Sequence, residues 1–164
     1  LDVRPTASKV RQAIFNILNL RLADCRFLDL FSGSGLMGLE ALSRGAQSVT
    51  FVEESHHQIR TIEDNLALLG FKATVLRGDV CRALPSLKQG AFDIIFADPP
   101  YKSNLPINCI KAVDTSKLLS ADGIFVIEHL RGMEMPDDLK FLVLKDTRAY
   151  GQTAVSFFVP ATSC

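Results

Sequence analysis

The ten residues Phe92-Asp93-Ile94-Ile95-Phe96-Ala97-Asp98-Pro99-Pro100-Tyr101 constrain this chain more than any other stretch. An apolar run of strand length stops abruptly at Asp-Pro-Pro-Tyr. Its first half reads as a strand buried on both faces, as in a parallel sheet covered by helices. Two successive prolines fix φ twice and remove two N–H donors, so the strand ends there. The second half is then a stiff loop at the strand's carboxyl end, where open α/β sheets place their ligands. It presents the Asp98 carboxylate, the Pro99 carbonyl and the Tyr101 ring. Such a set can hold a planar base by its exocyclic amine, with two acceptors for the amine hydrogens and an aromatic face for the ring. The competing reading is a rigid turn with a surface aromatic.

The rest of the chain bears on that choice. Its 164 residues suit one domain spanning residues 1–164, of which 1–20 form a lead-in and a first helix. No apolar run reaches the ~20 residues of a membrane span, and the start carries no signal-peptide pattern. Cys25, Cys81, Cys109 and Cys164 form no C-x-x-C pair, so neither a metal site nor a disulfide framework is expected, and a reducing cytoplasm is the simplest setting. The formal net charge is zero, which argues against strong autonomous binding to a phosphate backbone. A local cluster of Arg4, Lys9 and Arg11 nevertheless makes Arg4 and Arg11 candidate substrate contacts.

Along the chain, Leu1 to Thr6 reads as an extended lead-in. Thr6 or Ser8 would cap a helix carrying Val10, Ala13, Ile14, Ile17 and Leu18 at helical spacing. Arg26 to Phe31 is a short strand running straight into Ser32-Gly33-Ser34-Gly35-Leu36-Met37-Gly38 and a helix. Strand, glycine turn and helix let a backbone approach a nucleotide-like ligand, with helix N–H groups facing it. Gly33 and Gly35 would clear the closest approach, and Gly38 would let the helix pack on the sheet. The spacing matches G-x-G-x-x-G and so admits a nicotinamide-dependent oxidoreductase. Asp29, inside the strand where such proteins carry an apolar residue, instead favours orienting an amino-acid-like ligand.

A second strand, Ser48 to Glu53, ends in an acid about 20 residues past the glycines, where a carboxylate takes the hydroxyls of a ribose. Ser55 to Leu69 is an amphipathic helix stopped by Gly70. Ala73 to Leu76 is a third strand. Asp79 beyond it either accepts from an adenine amino group or caps a short helix near Arg82 to Leu84. After Tyr101 come a helix around Ile107 to Leu118, a turn at Ala121-Asp122-Gly123, and a fifth strand from Ile124 to His129. His129 stands at the presumed ligand end as a candidate substrate contact. Phe141 to Lys145 and Ala154 to Val159 are two closing strands around a turn at Tyr150-Gly151-Gln152-Thr153. The sum is an α/β sheet with an antiparallel end.

This pattern resembles the class I S-adenosylmethionine-dependent methyltransferases. Asp29-Leu30-Phe31-Ser32-Gly33-Ser34-Gly35 is similar to their cofactor loop, Glu53 to their ribose acid and Asp79 to their adenine-side acid. Asp98-Pro99-Pro100-Tyr101 resembles the signature of enzymes that methylate exocyclic amines of bases. A closer resemblance is to the RsmD-like enzymes, which methylate the N2 amine of a guanine in bacterial 16S ribosomal RNA. Arg4-Pro5-Thr6, Val10-Arg11 with Phe15-Asn16, the run Gly38 to Ala46, Val52-Glu53, Glu128-His129 and Tyr150-Gly151 with Thr153 carry it. Such proteins usually begin with a basic β-hairpin, whereas this sequence starts almost at Arg-Pro-Thr.

The resemblance implies a Rossmann-like, mostly parallel sheet of seven strands in the order 3-2-1-4-5-7-6, with strand 7 antiparallel. It implies S-adenosylmethionine held by Asp29, Phe31, Ser32, Gly33, Ser34, Gly35, Glu53, Asp79, Val80 and Asp98. It implies direct SN2 transfer at Asp98, Pro99, Pro100 and Tyr101, with 16S RNA in a partly assembled small-subunit particle as substrate. Rival readings are an adenine-N6 or cytosine-N4 methyltransferase, the oxidoreductase, and a non-catalytic RNA module.

Overall fold

The computed structural model describes the backbone of residues 5–162. Arg4, a predicted substrate contact, lies outside the described residues. Seven strands form one sheet in the order β3-β2-β1-β4-β5-β7-β6. They are β1 (Arg26–Leu30), β2 (Ser48–Glu53), β3 (Thr74–Arg77), β4 (Phe92–Ala97), β5 (Leu119–Leu130), β6 (Leu142–Tyr150) and β7 (Thr153–Pro160). β7 runs antiparallel to both its neighbours, while β1 to β5 are parallel. The helices are α1 (Pro5–Leu18), α2 (Leu36–Ser43), α3 (His56–Leu69), α4 (Val80–Ala83) and α5 (Leu105–Ser116).

Strand alternation sorts the core into two layers. Phe27 of β1, Phe51 of β2, Ile94 and Phe96 of β4 and Val126 of β5 pack with Ile14, Phe15 and Leu18 of α1, Leu39 of α2 and Ile62 of α3. Leu28, Leu30, Ile95, Ala97, Phe125 and Ile127 leave the other face and pack with Val80 of α4 and Ile110 and Val113 of α5. This double cover makes the middles of the central strands mostly apolar, and it puts residues 27, 29, 94, 96, 126 and 128 on one side.

Local chemistry fixes the boundaries. Ser55 caps α3, and Gly70 ends it in the left-handed region at φ +74°. α1 starts at Pro5, so Thr6 and Ser8 lie within its first turn and the expected extended lead-in is shorter. Proline suits the first helical turn because its missing N–H has no partner there anyway. β5 begins five residues earlier than expected and absorbs Ala121-Asp122-Gly123 by a register shift against β4. β6 runs on to Tyr150 because its backbone pairs with β7 on both sides of a register shift between Leu144 and Asp146, although its side chains are mostly exposed.

At the amino ends of the strands, Asp93 accepts from the Arg26 backbone at 2.8 Å, from its guanidinium at 2.9 Å and from Ser120 at 2.8 Å. The Arg26 guanidinium holds the Asp93 carboxyl down to about 2. β1, β4 and β5 are thereby tied together at the end away from the ligand loops. Buried Asp114 of α5 accepts three backbone N–H groups, from Lys140, Phe141 and Leu142, and staples the start of β6.

Gly38 is where α2 meets the sheet. A Cβ there would lie 2.4 Å from the Phe51 ring and 2.9 Å from Val49, both fully packed. Gly38→Ala is therefore expected to destabilise the fold by about 1–3 kcal/mol through overpacking. Urea unfolding of the two proteins checks this.

Candidate functional site

β1, β4 and β5 are adjacent, and their carboxyl ends each place an acid on the same side of the sheet. Asp29 shares its side with Phe27, Asp98 follows the β4 pattern of Ile94 and Phe96, and Glu128 follows Ile124 and Val126. Ala97 pairs with Ile127, so Asp98 and Glu128 come next on neighbouring parallel strands, roughly 4.8 Å apart along the sheet. All three acids line one cavity of about 260 Å³ with Arg11, Phe31, Ser32, Gly33, Ser34, Leu36, Met37 and Phe96. Among the described residues no group of His, Cys, Asp or Glu is arranged to hold a metal ion.

The glycine loop is pinned from both sides by carboxylates. Asp29 is 1% exposed, and its Oδ2 accepts the Gly38 N–H at 3.0 Å. Glu53, at the end of β2, accepts the Gly33 N–H at 2.8 Å through Oε1 and the Glu54 and Ser55 N–H groups through Oε2. Phe31 takes a positive φ of 55° between them, a conformation costly for a bulky side chain. Strain at the head of the loop is thus held by two acids that sequence reading assigned to ligand alone. Gly35 differs from expectation too. At φ +86° its Cβ would meet Ile62 at 3.0 Å, so its smallness serves internal packing as well as the turn.

Burial raises the Asp29 carboxyl well above the usual range, against the Gly38 hydrogen bond. Asp98 is exposed to solvent as a residue, yet partial loss of water around its carboxyl pushes it up to about 6. Glu128 is pushed further, to about 8, by burial and by the Asp98 charge. An acidic cavity of this kind favours a positively charged ligand, because a nearby cation offsets both effects. A dinucleotide would bring phosphate charge of the same sign.

Tyr101 is 47% exposed, and its hydroxyl lies 3.2 Å from Thr153 Oγ1 at the β6–β7 turn. Burial of that hydroxyl raises its pKa, as do the Asp98 and Glu128 charges. Its ring lines a second cavity of about 320 Å³ with Ser103, Pro106, Leu130, Arg131, Gly132 and Met133. The Asp98–Tyr101 turn thus contributes its first residue to one cavity and its last to the other. Thr153 and Glu128 carry the family resemblance in the sequence but were not expected in the site, and the structure sets both beside it: Glu128 in the cavity lining and Thr153 against Tyr101. The signal for Glu128 was present: on a strand, the residue sharing a side with Val126 is 128, and not 129.

His129 is correspondingly a correction. It is 1% exposed on the opposite side of β5, with Nε2 2.6 Å from Ser156 Oγ and Nδ1 2.8 Å from the Leu130 carbonyl. It has no surface to offer a substrate. Asp79 caps α4 by accepting the Arg82 N–H at 3.0 Å, and the Val80 side chain is buried in the core. Only the backbone of Val80 and the remaining Asp79 acceptors face outward chemistry. Arg11 reaches the cavity while paired with Glu40 at 3.3 Å, which dilutes the expected positive cluster.

The strand order with its antiparallel β7, and acids at the ends of β1, β2 and β4, define a class I methyltransferase. The comparisons carry this to the family. The model for Conserved hypothetical protein 95 matches residues 1–159, and the chain belongs to that family. YlbH of Bacillus subtilis (strain 168) is 38% identical over 161 residues, covering 96% of this chain and 88% of that one. The Ribosomal RNA small subunit methyltransferase D of Haemophilus influenzae is 33% identical over 150 residues, covering 88% and 77%. The structure of yhhF from Escherichia coli superposes with a TM-score of 0.85 at 29% identity, over 98% of this chain and 89% of that one.

The raised carboxyls have a consequence for stability. A carboxyl whose folded pKa lies above its unfolded value favours the fold at low pH, and that contribution is lost as pH rises through the folded pKa. Replacing Glu128 by Gln removes a carboxyl that burial and the Asp98 charge push up to about 8. The melting temperature of Glu128→Gln relative to the unsubstituted protein should rise by roughly 2–4 °C between pH 5 and pH 8.5. Calorimetric scans of the ligand-free proteins at the two pH values check it.

Proposed function

We propose that this protein transfers a methyl group from S-adenosylmethionine to the exocyclic N2 amine of a guanine in 16S ribosomal RNA. The observation that carries the reading is the Asp98-Pro99-Pro100-Tyr101 turn standing at the wall of an acidic cavity floored by the glycine loop. The methyl donor would supply an electrophilic methyl on a sulfonium. Asp29 would face its ammonium, Glu53 its ribose hydroxyls and Asp79 its adenine amino group, with Phe31 to Gly35 and the Val80 backbone completing the seat. The chemistry of this donor set fits a ligand with two positive centres and no phosphate.

The N2 amine of guanine is conjugated with its ring and is a poor nucleophile. Hydrogen bonds from it to Asp98 and the Pro99 carbonyl favour a pyramidal nitrogen whose lone pair faces the methyl carbon. Tyr101, anchored through Thr153, fixes the base plane by stacking. Orientation supplies much of the acceleration. As the N–C bond forms, the S–C electron pair returns to sulfur, and the surplus amine proton passes to the Asp98 carboxylate. The base must be unstacked or already single-stranded to reach the turn. We place the reaction in the cytoplasm, on RNA within a small-subunit particle. The names of the relatives support the RNA, and the charge balance of the chain supports the particle.

Labelled methyl transfer tests this. Small ribosomal subunits lacking the modification, free 16S RNA and duplex DNA are offered in parallel, and the product is digested to nucleosides. N2-methylguanosine is the expected product, and methyladenine would contradict the reading. Asp98→Ala should slow transfer by roughly a hundred- to ten-thousandfold. Its affinity for the methyl donor, measured by calorimetry, should change far less.

A further inference from the structure

The Asp98–Glu128 pair has more acceptor capacity than an amine needs. When ionised, two neighbouring carboxylates present acceptors only, with no donor between them. Glu128 stands beside Asp98 on the next parallel strand, on the same side of the sheet and in the same cavity wall. Among the described residues no hydrogen-bond partner occupies the Glu128 side chain, while Asp29 is engaged by Gly38 and Arg11 by Glu40. Two donors close to the turn already have partners among the described residues: the Tyr101 hydroxyl pairs with Thr153, and the Arg11 guanidinium in the same cavity pairs with Glu40.

The bases that carry an exocyclic amine differ in what lies next to it. In guanine, N2 is flanked by N1–H, a donor. In adenine, N6 is flanked by N1, an acceptor, and in cytosine N4 is flanked by N3, also an acceptor. A second carboxylate beside the amine-binding one pairs with the first arrangement and repels the other two. We propose that Glu128 is the specificity-determining residue of this site, accepting the guanine N1–H while Asp98 and the Pro99 carbonyl accept the N2 hydrogens. This rests on the guanine reading given above and explains it, because Asp-Pro-Pro-Tyr alone suits any of the three amines. A cationic methyl donor in the same cavity would lower both carboxyls and so favour the ionised, acceptor-only pattern. An acceptor placed against an acceptor loses a hydrogen bond that water in so narrow a seat replaces poorly.

The test uses an RNA spanning the guanine found labelled in the experiment above, made with guanine or 2-aminopurine at that position. 2-Aminopurine keeps the N2 amine but carries N1 without hydrogen. The unsubstituted protein should methylate the guanine RNA at least a hundredfold faster. Glu128→Gln replaces one acceptor by an amide that can turn its NH2 toward N1. It should lose about ten- to a hundredfold on guanine, and its guanine-to-2-aminopurine ratio should narrow at least tenfold. Circular dichroism and thermal melting establish that the variant is folded. An equal loss on both RNAs in Glu128→Gln would overturn the assignment. So would indifference of the unsubstituted protein to the N1 hydrogen. If the unsubstituted protein labels no guanine in any RNA, the guanine reading itself falls and this inference with it.

Discussion

Three carboxyl groups brought together at the carboxyl ends of adjacent parallel strands are the constraint around which this molecule is arranged. Left alone, such a cluster is costly, because each charge loses water and faces its neighbours. Loss of water raises Asp29, Asp98 and Glu128 above the usual carboxylate range, and the Asp98 charge adds to the rise at Asp29 and Glu128. The fold carries that cost through strong ties elsewhere. Asp93 and Arg26 clamp the far ends of the same strands, and Asp114 anchors α5 to β6 through three backbone N–H groups. A fold that holds unfavourable charge in place has prepared a site for a ligand of opposite charge.

The same economy of residues runs through the glycine loop. Asp29 and Glu53 each bond a loop N–H while keeping further acceptor capacity, so the loop geometry and the ligand seat depend on the same side chains. Substituting either would disturb both. Phe31 at positive φ marks where the chain is bent to meet them. The Tyr101–Thr153 contact plays the matching part on the other side of the site, tying the Asp-Pro-Pro-Tyr turn to the antiparallel end of the sheet. The β6–β7 hairpin thereby touches the turn, a contact that its exposed side chains do not suggest.

Much of this was legible in the residues. The strand ending at Asp98 was readable from an apolar run cut by two prolines, and the Gly38 contact from the need of α2 to sit close to β2. The strand order came from resemblance, since spacing alone shows an antiparallel end without saying that β7 inserts between β5 and β6. Other features were hidden for physical reasons. Asp79 is an N-cap and a strand-end acid at once, and only coordinates show its bond to Arg82. β6 has exposed side chains along most of its length, so its extent is set by backbone pairing that leaves little hydrophobic pattern to read. The choice of His129 over Glu128 favoured the residue with the richer chemistry over strand alternation. Alternation places the carboxylate in the site and the imidazole against Ser156.

The central claim is that the clustered acids recognise positive charge. Its most direct test compares the affinities of S-adenosylmethionine and S-adenosylhomocysteine, which share every group except the methyl and its sulfonium charge. Calorimetric titration from pH 6 to pH 8.5 separates the charge effect from the rest. As Asp98 and Glu128 ionise across that range, the affinity ratio should move steadily in favour of the sulfonium, and the movement should shrink in Glu128→Gln. A ratio that does not change with pH would contradict the account.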